Sequence, residues 1–146
     1  MFDKILIPTD GSEYTKEAVG KALELAKCTG GTVTALYVID QTLFINVPVD
    51  SAITTVYAIL KKEGQAAVDQ VREQGGAMGV RVDTKVLDGQ PAKTIIEEAK
   101  GYDIVVMGTL GRTGVSKLLM GSVAEKVMKL SPVPVMVIKS SEVDKK

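Results

Sequence analysis

The sequence contains no histidine, no tryptophan and only one cysteine, Cys28, among its 146 residues. Without histidine the chain cannot form a Ser-His-Asp triad or an imidazole metal site, and it lacks the usual general acid or base near neutral pH. A single cysteine cannot form an internal disulfide or supply a zinc site alone. Catalysis that depends on an imidazole is therefore excluded.

The chain also has little charge imbalance, few aromatic residues and no long apolar run. Eighteen Lys and Arg balance eighteen Asp and Glu, and aromatic residues make up 4%. Nucleic-acid binders favour a basic surface, and binders of single strands use aromatic platforms, so we expect no nucleic-acid partner. No apolar run approaches the ~20 residues of a membrane span, and we expect no signal peptide before the first strand. We therefore expect a cytoplasmic protein with no membrane partner.

The residues that are present are typical of one globular domain. Hydrophobic residues make up 45% of the chain and charged residues 25%, and this length is enough to bury a sizeable core. Apolar strand-like runs alternate with helical patterns in the order β-α-β-α-β-α-β-α-β. We predict one domain over 1–140 and a polar C-terminal tail over 141–146.

This alternation predicts a doubly wound α/β domain that is Rossmann-like. We expect a five-stranded parallel sheet in the strand order 3-2-1-4-5, with helices on both faces and right-handed crossovers. Charged residues alternate along the third strand and favour an edge position for it, whereas the apolar fourth strand favours the centre. The predicted strands cover 4–7, 32–39, 80–87, 103–107 and 133–138.

Caps and stops predict where the helices lie. We expect Ser12 to cap the first helix and Gly30 to end it, and Ser51 to cap a helix that runs to about Met78. The first turns of that second helix are apolar on more than one face, as in a helix with neighbours on more than one side. The segment 40–50 before it is a long, partly apolar connection. Shorter helices are predicted over 92–99 and 122–129.

A glycine-rich segment joins the fourth strand to the last helix and runs from Gly108 to Ser122. Glycine lets backbone N–H groups approach a phosphate closely, and the helix that begins at Gly121 adds an N-terminus that attracts anions. Arg112 supplies positive charge in the same segment. Ligands of doubly wound sheets bind where the winding reverses, so we expect this segment to lie beside the first strand-end loop, 8–12. The sequence therefore predicts a phosphate site.

Two familiar phosphate motifs do not occur in this sequence. There is no G-x-x-x-x-G-K-[ST] sequence, so the chain is not a Walker-type nucleotide hydrolase. There is also no G-x-G-x-x-G sequence, and the glycine-rich segment follows the fourth strand rather than the first. A dinucleotide site of the Rossmann type is therefore disfavoured.

The glycine spacing resembles the signature of the ATP-binding universal stress proteins. Gly108 and Gly111 are followed, after nine residues, by Gly121 and Ser122, which matches G-2x-G-9x-G-[ST]. The segments 5–12, 89–91 and 131–135 are also similar to that family, and the resemblance extends to about residue 139. One departure is Leu110, where family members often carry a histidine.

The resemblance implies that an adenine nucleotide lies across the ends of the first and fourth strands. ATP, with Mg²⁺, is the expected cofactor. A carboxylate ~4 Å from a phosphate repels it by several kcal/mol at an effective dielectric near 20, so Asp10 is expected to accept from the ribose or to bind Mg²⁺. Its alternative role is a helix cap. By resemblance, Pro8, Thr9 and Val38 flank the adenine, and Gly108, Gly111, Gly121 and Ser122 hold the ribose and phosphates.

We therefore expect an ATP-binding regulatory or stress-response protein. No residue set combines a nucleophile, a base and an orienting group, so no catalytic residue is assigned, and slow ATP hydrolysis is the most that Asp10 and Mg²⁺ would support. A phosphorelay receiver is one alternative, because Asp10, Asp88, Thr109 and Lys139 imitate its acidic, Thr and Lys residues. The acidic pair expected after the first strand is missing, however. A nucleotide-free dimeric scaffold is the other alternative.

The last strand predicts self-association. It is short and apolar on both faces over 133–138, and an edge strand exposes unpaired backbone groups that pairing with a second copy would satisfy. The family resemblance implies the same antiparallel pairing. We therefore expect a homodimer through strand five; the sequence does not identify any other protein partner.

Overall fold

A computed structural model describes residues 1–109 and 120–140. The five strands form one parallel sheet in the order β3-β2-β1-β4-β5, so the predicted fold class and strand order are confirmed. The predicted tail, 141–146, lies outside the described residues, as do Gly111 and Arg112. The strands are β1 (Lys4–Pro8), β2 (Thr32–Asp40), β3 (Val82–Gly89), β4 (Ile104–Gly108) and β5 (Val135–Ile138).

The helices alternate with the strands as the sequence predicts. Each crossover between parallel strands needs such an element, and the apolar face of each helix packs on the sheet. Two short 3₁₀ helices are present: Glu13–Thr15 follows β1 after a four-residue loop, and Gln41–Phe44 follows β2 directly. The α-helices are α1 (Lys16–Thr29), α2 (Ser51–Ala77), α3 (Pro91–Ala99) and α4 (Ser122–Leu130).

The central strand β1 shows why the sheet is buried on both faces. Ile5 and Ile7 pack into the core beneath α1 and α2, while Leu6 packs into a second core beneath α3 and α4. All three side chains are fully buried, because successive residues of a strand point to opposite faces and helices cover both. A continuous apolar run is therefore what a central parallel strand requires.

Both helix caps expected from serine are wrong. Ser12 precedes the 3₁₀ turn, and its hydroxyl makes no capping hydrogen bond among the described residues. The cap of α2 is Asp50, whose carboxylate accepts from the Ile53 N–H at 3.0 Å, so Ser51 is the first helical residue. A carboxylate is as good a cap as a hydroxyl and also favours the helix dipole. The stop at Gly30 is confirmed, with φ of 70°.

The expectation that other elements surround the first turns of α2 is wrong within the described part of the chain. Val56 is 45% exposed and Ile59 52% exposed. Only the opposite side of these turns is packed, where Tyr57 meets Phe44 edge-on at 6.1 Å between ring centroids. The Tyr57 hydroxyl also donates to the Asp88 carboxylate, which fixes α2 to the end of β3.

None of the helices in the described residues is both long enough and apolar enough to span a membrane.

Candidate functional site

The sheet opens between β1 and β4, where the direction of winding reverses. β1 pairs with β2 as far as Pro8, but it pairs with β4 only at Ile5↔Ile104 and Leu6↔Val105. Helices lie on opposite faces to either side of this point, so a crevice forms beyond the strand ends. Pro8, the last residue of β1, has no N–H with which to continue a ladder.

A cavity of about 460 Å³ occupies this crevice. Its lining contains every predicted binding residue that the structure describes, although these positions are spread over more than a hundred residues of sequence. Gly111 and Arg112 lie outside the described residues. The predicted residues that line the cavity are Pro8, Thr9, Asp10, Val38, Gly108, Gly121 and Ser122.

At one end of the cavity, β2 extends beyond the last residue of β1. The Thr9 N–H donates to the Leu36 carbonyl at 2.9 Å, which ends the ladder between β1 and β2. In a parallel strand, the N–H and C=O of one residue face one neighbouring strand, and those of the next residue face the other. Val38 lies two residues after Leu36, so both of its backbone groups face the same side as those of Leu36. Val38 lies past the end of that ladder and lines the cavity. This end therefore presents one backbone donor and one backbone acceptor side by side.

The first strand-end loop is held by its own short polar side chains. Thr9 is 8% exposed, and its Oγ1 accepts from the Gly11 N–H at 3.1 Å and shares a hydrogen bond with Thr15 Oγ1 at 3.2 Å. The Asp10 Oδ1 accepts from the Ser12 N–H at 2.9 Å. Bonds of this kind are the local alternative that Asp and Thr offer to regular structure. They fix the loop so that Asp10 lines the cavity.

Gly11 is required in this loop for two reasons. Its φ is +78°, a left-handed conformation that side-chain-bearing residues rarely adopt. A Cβ at this position would also lie 3.2 Å from the Cβ of Ala67 on α2. The glycine therefore lets the loop turn sharply and press against α2.

At the other end of the cavity, α4 points its N-terminus at the crevice. Gly121 precedes the helix with φ −63° and ψ 153°, and its N–H donates to the Thr109 carbonyl at 2.7 Å. No side chain of a described residue caps α4. The first N–H groups of any α-helix have no partner within the helix, and here no described side chain replaces one. Such N–H groups are the usual basis of anion binding at a helix N-terminus. The first turn, Ser122, Val123 and Ala124, lines the cavity.

The described lining carries negative rather than positive charge. Its charged side chains are Asp10 and Asp40. The Asp40 carboxylate accepts from both the N–H and the hydroxyl of Thr42, at 2.9 and 2.6 Å, which orders the 3₁₀ helix after β2. Within the described residues no group of three or more acidic, His or Cys side chains is placed to hold a metal ion. A metal in this cavity would need ligands besides Asp10 and Asp40, such as water or a bound phosphate.

Several lining residues were not predicted as site residues. Leu43 comes from the connection after β2, Leu60 from α2 and Pro91 from the start of α3. The signal for Leu43 was the apolar composition of the connection, since an apolar side chain in a loop needs something to cover. No comparable signal marked Leu60, because its spacing also suits an ordinary core position.

The residues that imitate a phosphorelay receiver do not come together. Asp10 and Thr109 line the cavity, but Asp88 and Lys139 do not. Asp88 lies at the end of the edge strand β3, where both carboxylate oxygens accept from the Tyr57 hydroxyl, at 2.9 and 2.8 Å. This hydrogen bond raises the pKa of Tyr57 above its ordinary value of 10.0, with smaller contributions from burial and from the Asp88 charge.

The fold and the crevice define a doubly wound α/β domain with a ligand cavity at its topological switch point. The sequence model of the universal stress protein family matches residues 1–139, and the chain belongs to that family.

Relatives of this chain include archaeal and bacterial members of the family. The chain is 41% identical to Universal stress protein MJ0531 of Methanocaldococcus jannaschii over 141 residues, which cover 95% of this chain and 83% of that protein. The solved structure of protein MJ0577 from the same organism has a TM-score of 0.83 at 30% identity, over 95% of this chain and 96% of that one. An Arabidopsis thaliana family member with AMP bound has a TM-score of 0.71 at 18% identity, covering 98% and 95% of the two chains.

Proposed function

We propose that this chain binds ATP in the cavity between β1 and β4 and acts as a nucleotide-dependent regulatory or stress-response protein. The observation that carries the proposal is that one cavity has a backbone donor–acceptor pair at one end and the N-terminus of α4 at the other. These groups suit the two chemically different parts of an adenine nucleotide.

The base end favours adenine over guanine. Adenine offers an amino donor at N6 next to an acceptor at N1, which complements the C=O and N–H of Val38. Guanine has the opposite polarity, with an acceptor at O6 and a donor at N1, so both contacts would be lost. Buried Pro8, Leu36 and Met107 supply apolar walls for the ring, as flat aromatic ligands require.

The phosphate end suits a polyphosphate. Backbone N–H groups and the positive end of the α4 dipole favour an anion, and the Ser122 hydroxyl adds a donor. Gly108 and Gly121 leave the backbone accessible. Gly111 and Arg112, which the sequence also predicts to bind here, lie outside the described residues. Because Asp10 would repel a phosphate at close range, we assign it to the ribose hydroxyls or to a Mg²⁺ ion on the phosphates.

The AMP-bound Arabidopsis relative supports the proposal only at the level of the fold, because its identity to this chain is 18%. It indicates that an adenine nucleotide can be accommodated by this type of domain. The stronger support is that the Val38 backbone and the N-terminus of α4 line the same cavity.

The direct experiment is mass spectrometry of freshly purified protein after denaturation, followed by calorimetric titration of nucleotide-free protein with ATP. We expect retained adenine nucleotide, or tight binding on titration. A sample that contains no nucleotide and takes up no ATP, with or without Mg²⁺, would contradict the proposal and favour the nucleotide-free scaffold.

We also propose a homodimer formed through β5. This strand is a sheet edge with Met136 37% exposed, and the adjacent α4 leaves Met128 47% and Leu130 60% exposed. Pairing of β5 with a second copy would satisfy the edge and cover apolar surface. Light scattering at micromolar concentration should give twice the chain mass of 15.5 kDa; the monomer mass would contradict the proposal. The cytoplasmic location and the absence of more than slow hydrolysis stay predictions.

A further inference from the structure

A much smaller cavity, of about 20 Å³, lies behind the first strand-end loop. It is enclosed by that loop, by the start of α1 and by α2. Its polar lining residues are Thr9, Ser12 and Thr15 on one side and Gln70 and Gln74 of α2, both exposed to solvent, on the other. This cavity therefore lies between the wall of the large cavity and the longest helix.

Ser12 makes this small cavity chemically unusual. Its Oγ is completely buried and has no hydrogen-bond partner in the described part of the chain. Buried hydroxyls are nearly always paired, because leaving one unpaired loses its hydrogen bonds to water without replacement. The backbone N–H of the same residue donates to Asp10, so only the side-chain hydroxyl of Ser12 still needs a hydrogen-bond partner.

The size and lining of the cavity restrict what can bind there. A single water molecule needs a volume of about 10–15 Å³ or more and two to four polar partners, and a cavity of about 20 Å³ meets this requirement. A polyatomic ligand would not fit. A cation is disfavoured because no carboxylate lines the cavity, whereas Lys16 does.

We propose that one internal water molecule occupies this cavity and bridges the Ser12 hydroxyl to the α2 amides of Gln70 and Gln74. The water ties the first loop to α2 from behind. Thr9 and Thr15 line both cavities and share a hydrogen bond at 3.2 Å. The water therefore positions the loop that carries Asp10, whether or not nucleotide is bound.

The test uses Ser12→Ala in nucleotide-free protein, with thermal unfolding as the readout. If the hydroxyl is bridged by water, removing it loses hydrogen bonds and should lower Tm by about 2–4 °C, the shift typical of losing one buried polar contact in a domain of this size. If the hydroxyl has no partner, the substitution removes an unpaired buried group and should raise Tm. The exposed Ser51→Ala serves as the matched control and should leave Tm unchanged.

A high-resolution crystal structure of the parent should contain a single density peak within hydrogen-bonding distance of Ser12 Oγ, and this peak should be missing in Ser12→Ala. An unchanged or higher Tm in Ser12→Ala, or no peak in the parent, would overturn the proposal. Stabilisation that depends on whether the salt supplies Na⁺, K⁺ or choline would identify a cation instead of water. Because all these measurements use nucleotide-free protein, they are independent of whether ATP binds.

Discussion

The two ends of the cavity between β1 and β4 present different groups to the nucleotide that we propose binds there. At the base end, the edge of β2 extends beyond β1, and the Val38 backbone supplies a donor and an acceptor in fixed positions. At the phosphate end, the α4 N-terminus supplies several N–H groups and a positive dipole. The first arrangement is suited to discriminate between bases of opposite polarity, whereas the second is suited to any anion of suitable size. We therefore expect affinity to depend mainly on the phosphate end and specificity on the base end.

Blocking the phosphate end should have the largest effect. In Gly121→Val, a β-branched side chain would stand where a phosphate approaches α4, and losing two or three charge-assisted contacts of ~1.5–3 kcal/mol each should weaken ATP binding at least ~100-fold. Calorimetric titration measures this directly. The fold should survive, because the φ of −63° and ψ of 153° at Gly121 are open to any residue.

Gly76→Val is the matched control for this change. A Cβ at Gly76, near the end of α2, meets no atom within 4 Å. The nearby Gly79 would be a poor control, because its φ is +76° and a valine there would be strained. The control should bind ATP as tightly as the parent, and Ser122→Ala should cost only one contact. If Gly121→Val also retains the parent affinity, the glycines at this end serve the chain's own folding rather than a phosphate.

Changing the base should have the next largest effect. GTP presents an acceptor and a donor where ATP presents a donor and an acceptor, so two contacts with the Val38 backbone are lost. At ~1–3 kcal/mol for each unpaired group, we expect GTP to bind ~30-fold or more weakly than ATP in competition experiments. ITP has the same polarity as GTP without the 2-amino group, so it should bind as weakly. Equal affinity for all three nucleotides would show that the base end does not select by polarity.

The difference between the two ends of the cavity also determines how much of the site could be predicted from the sequence. A phosphate end needs residues without a Cβ, such as Gly108 and Gly121, and that requirement is visible as a spacing of glycines. A base end made of backbone imposes almost nothing on side chains, so Val38 was identified only by family resemblance. Leu60 could not be predicted at all, because one apolar spacing serves both core packing and cavity lining.

The fold was predictable for a related reason. The central position of β4 follows from its continuous apolar run and the edge position of β3 from its alternating charges, whereas β5 is apolar and still lies at an edge. The caps were not predictable, because Asp50 and Ser51 are both good capping residues and tertiary packing determines the register of α2. Ser12 lost its expected role because a 3₁₀ turn intervenes before α1.

Asp10→Asn lies between the two ends and should have a modest effect. Asn keeps the Oδ1 that accepts from the Ser12 N–H, so the loop should stay intact while the negative charge is lost. We expect ATP affinity to change a few-fold and its dependence on Mg²⁺ to weaken, as measured by calorimetry with and without the metal. Unchanged affinity under both conditions would mean that Asp10 only stabilises the loop.

The smallest expected effect concerns the hydrogen bond that joins α2 to the end of β3. Tyr57→Phe removes the hydrogen bond to Asp88 and should lower the free energy of unfolding by ~0.5–1 kcal/mol, since the pair is exposed to solvent. Asp88 raises the pKa of Tyr57 in the folded state, so this contribution is fully present below the unfolded pKa of about 10 and is lost as the pH rises through the raised value. Urea unfolding should therefore separate the parent from Tyr57→Phe at pH 8 and bring them together once the pH exceeds the raised pKa of Tyr57. A gap that stays constant across this range would assign the stabilisation to the contact of Tyr57 with Phe44, which does not titrate.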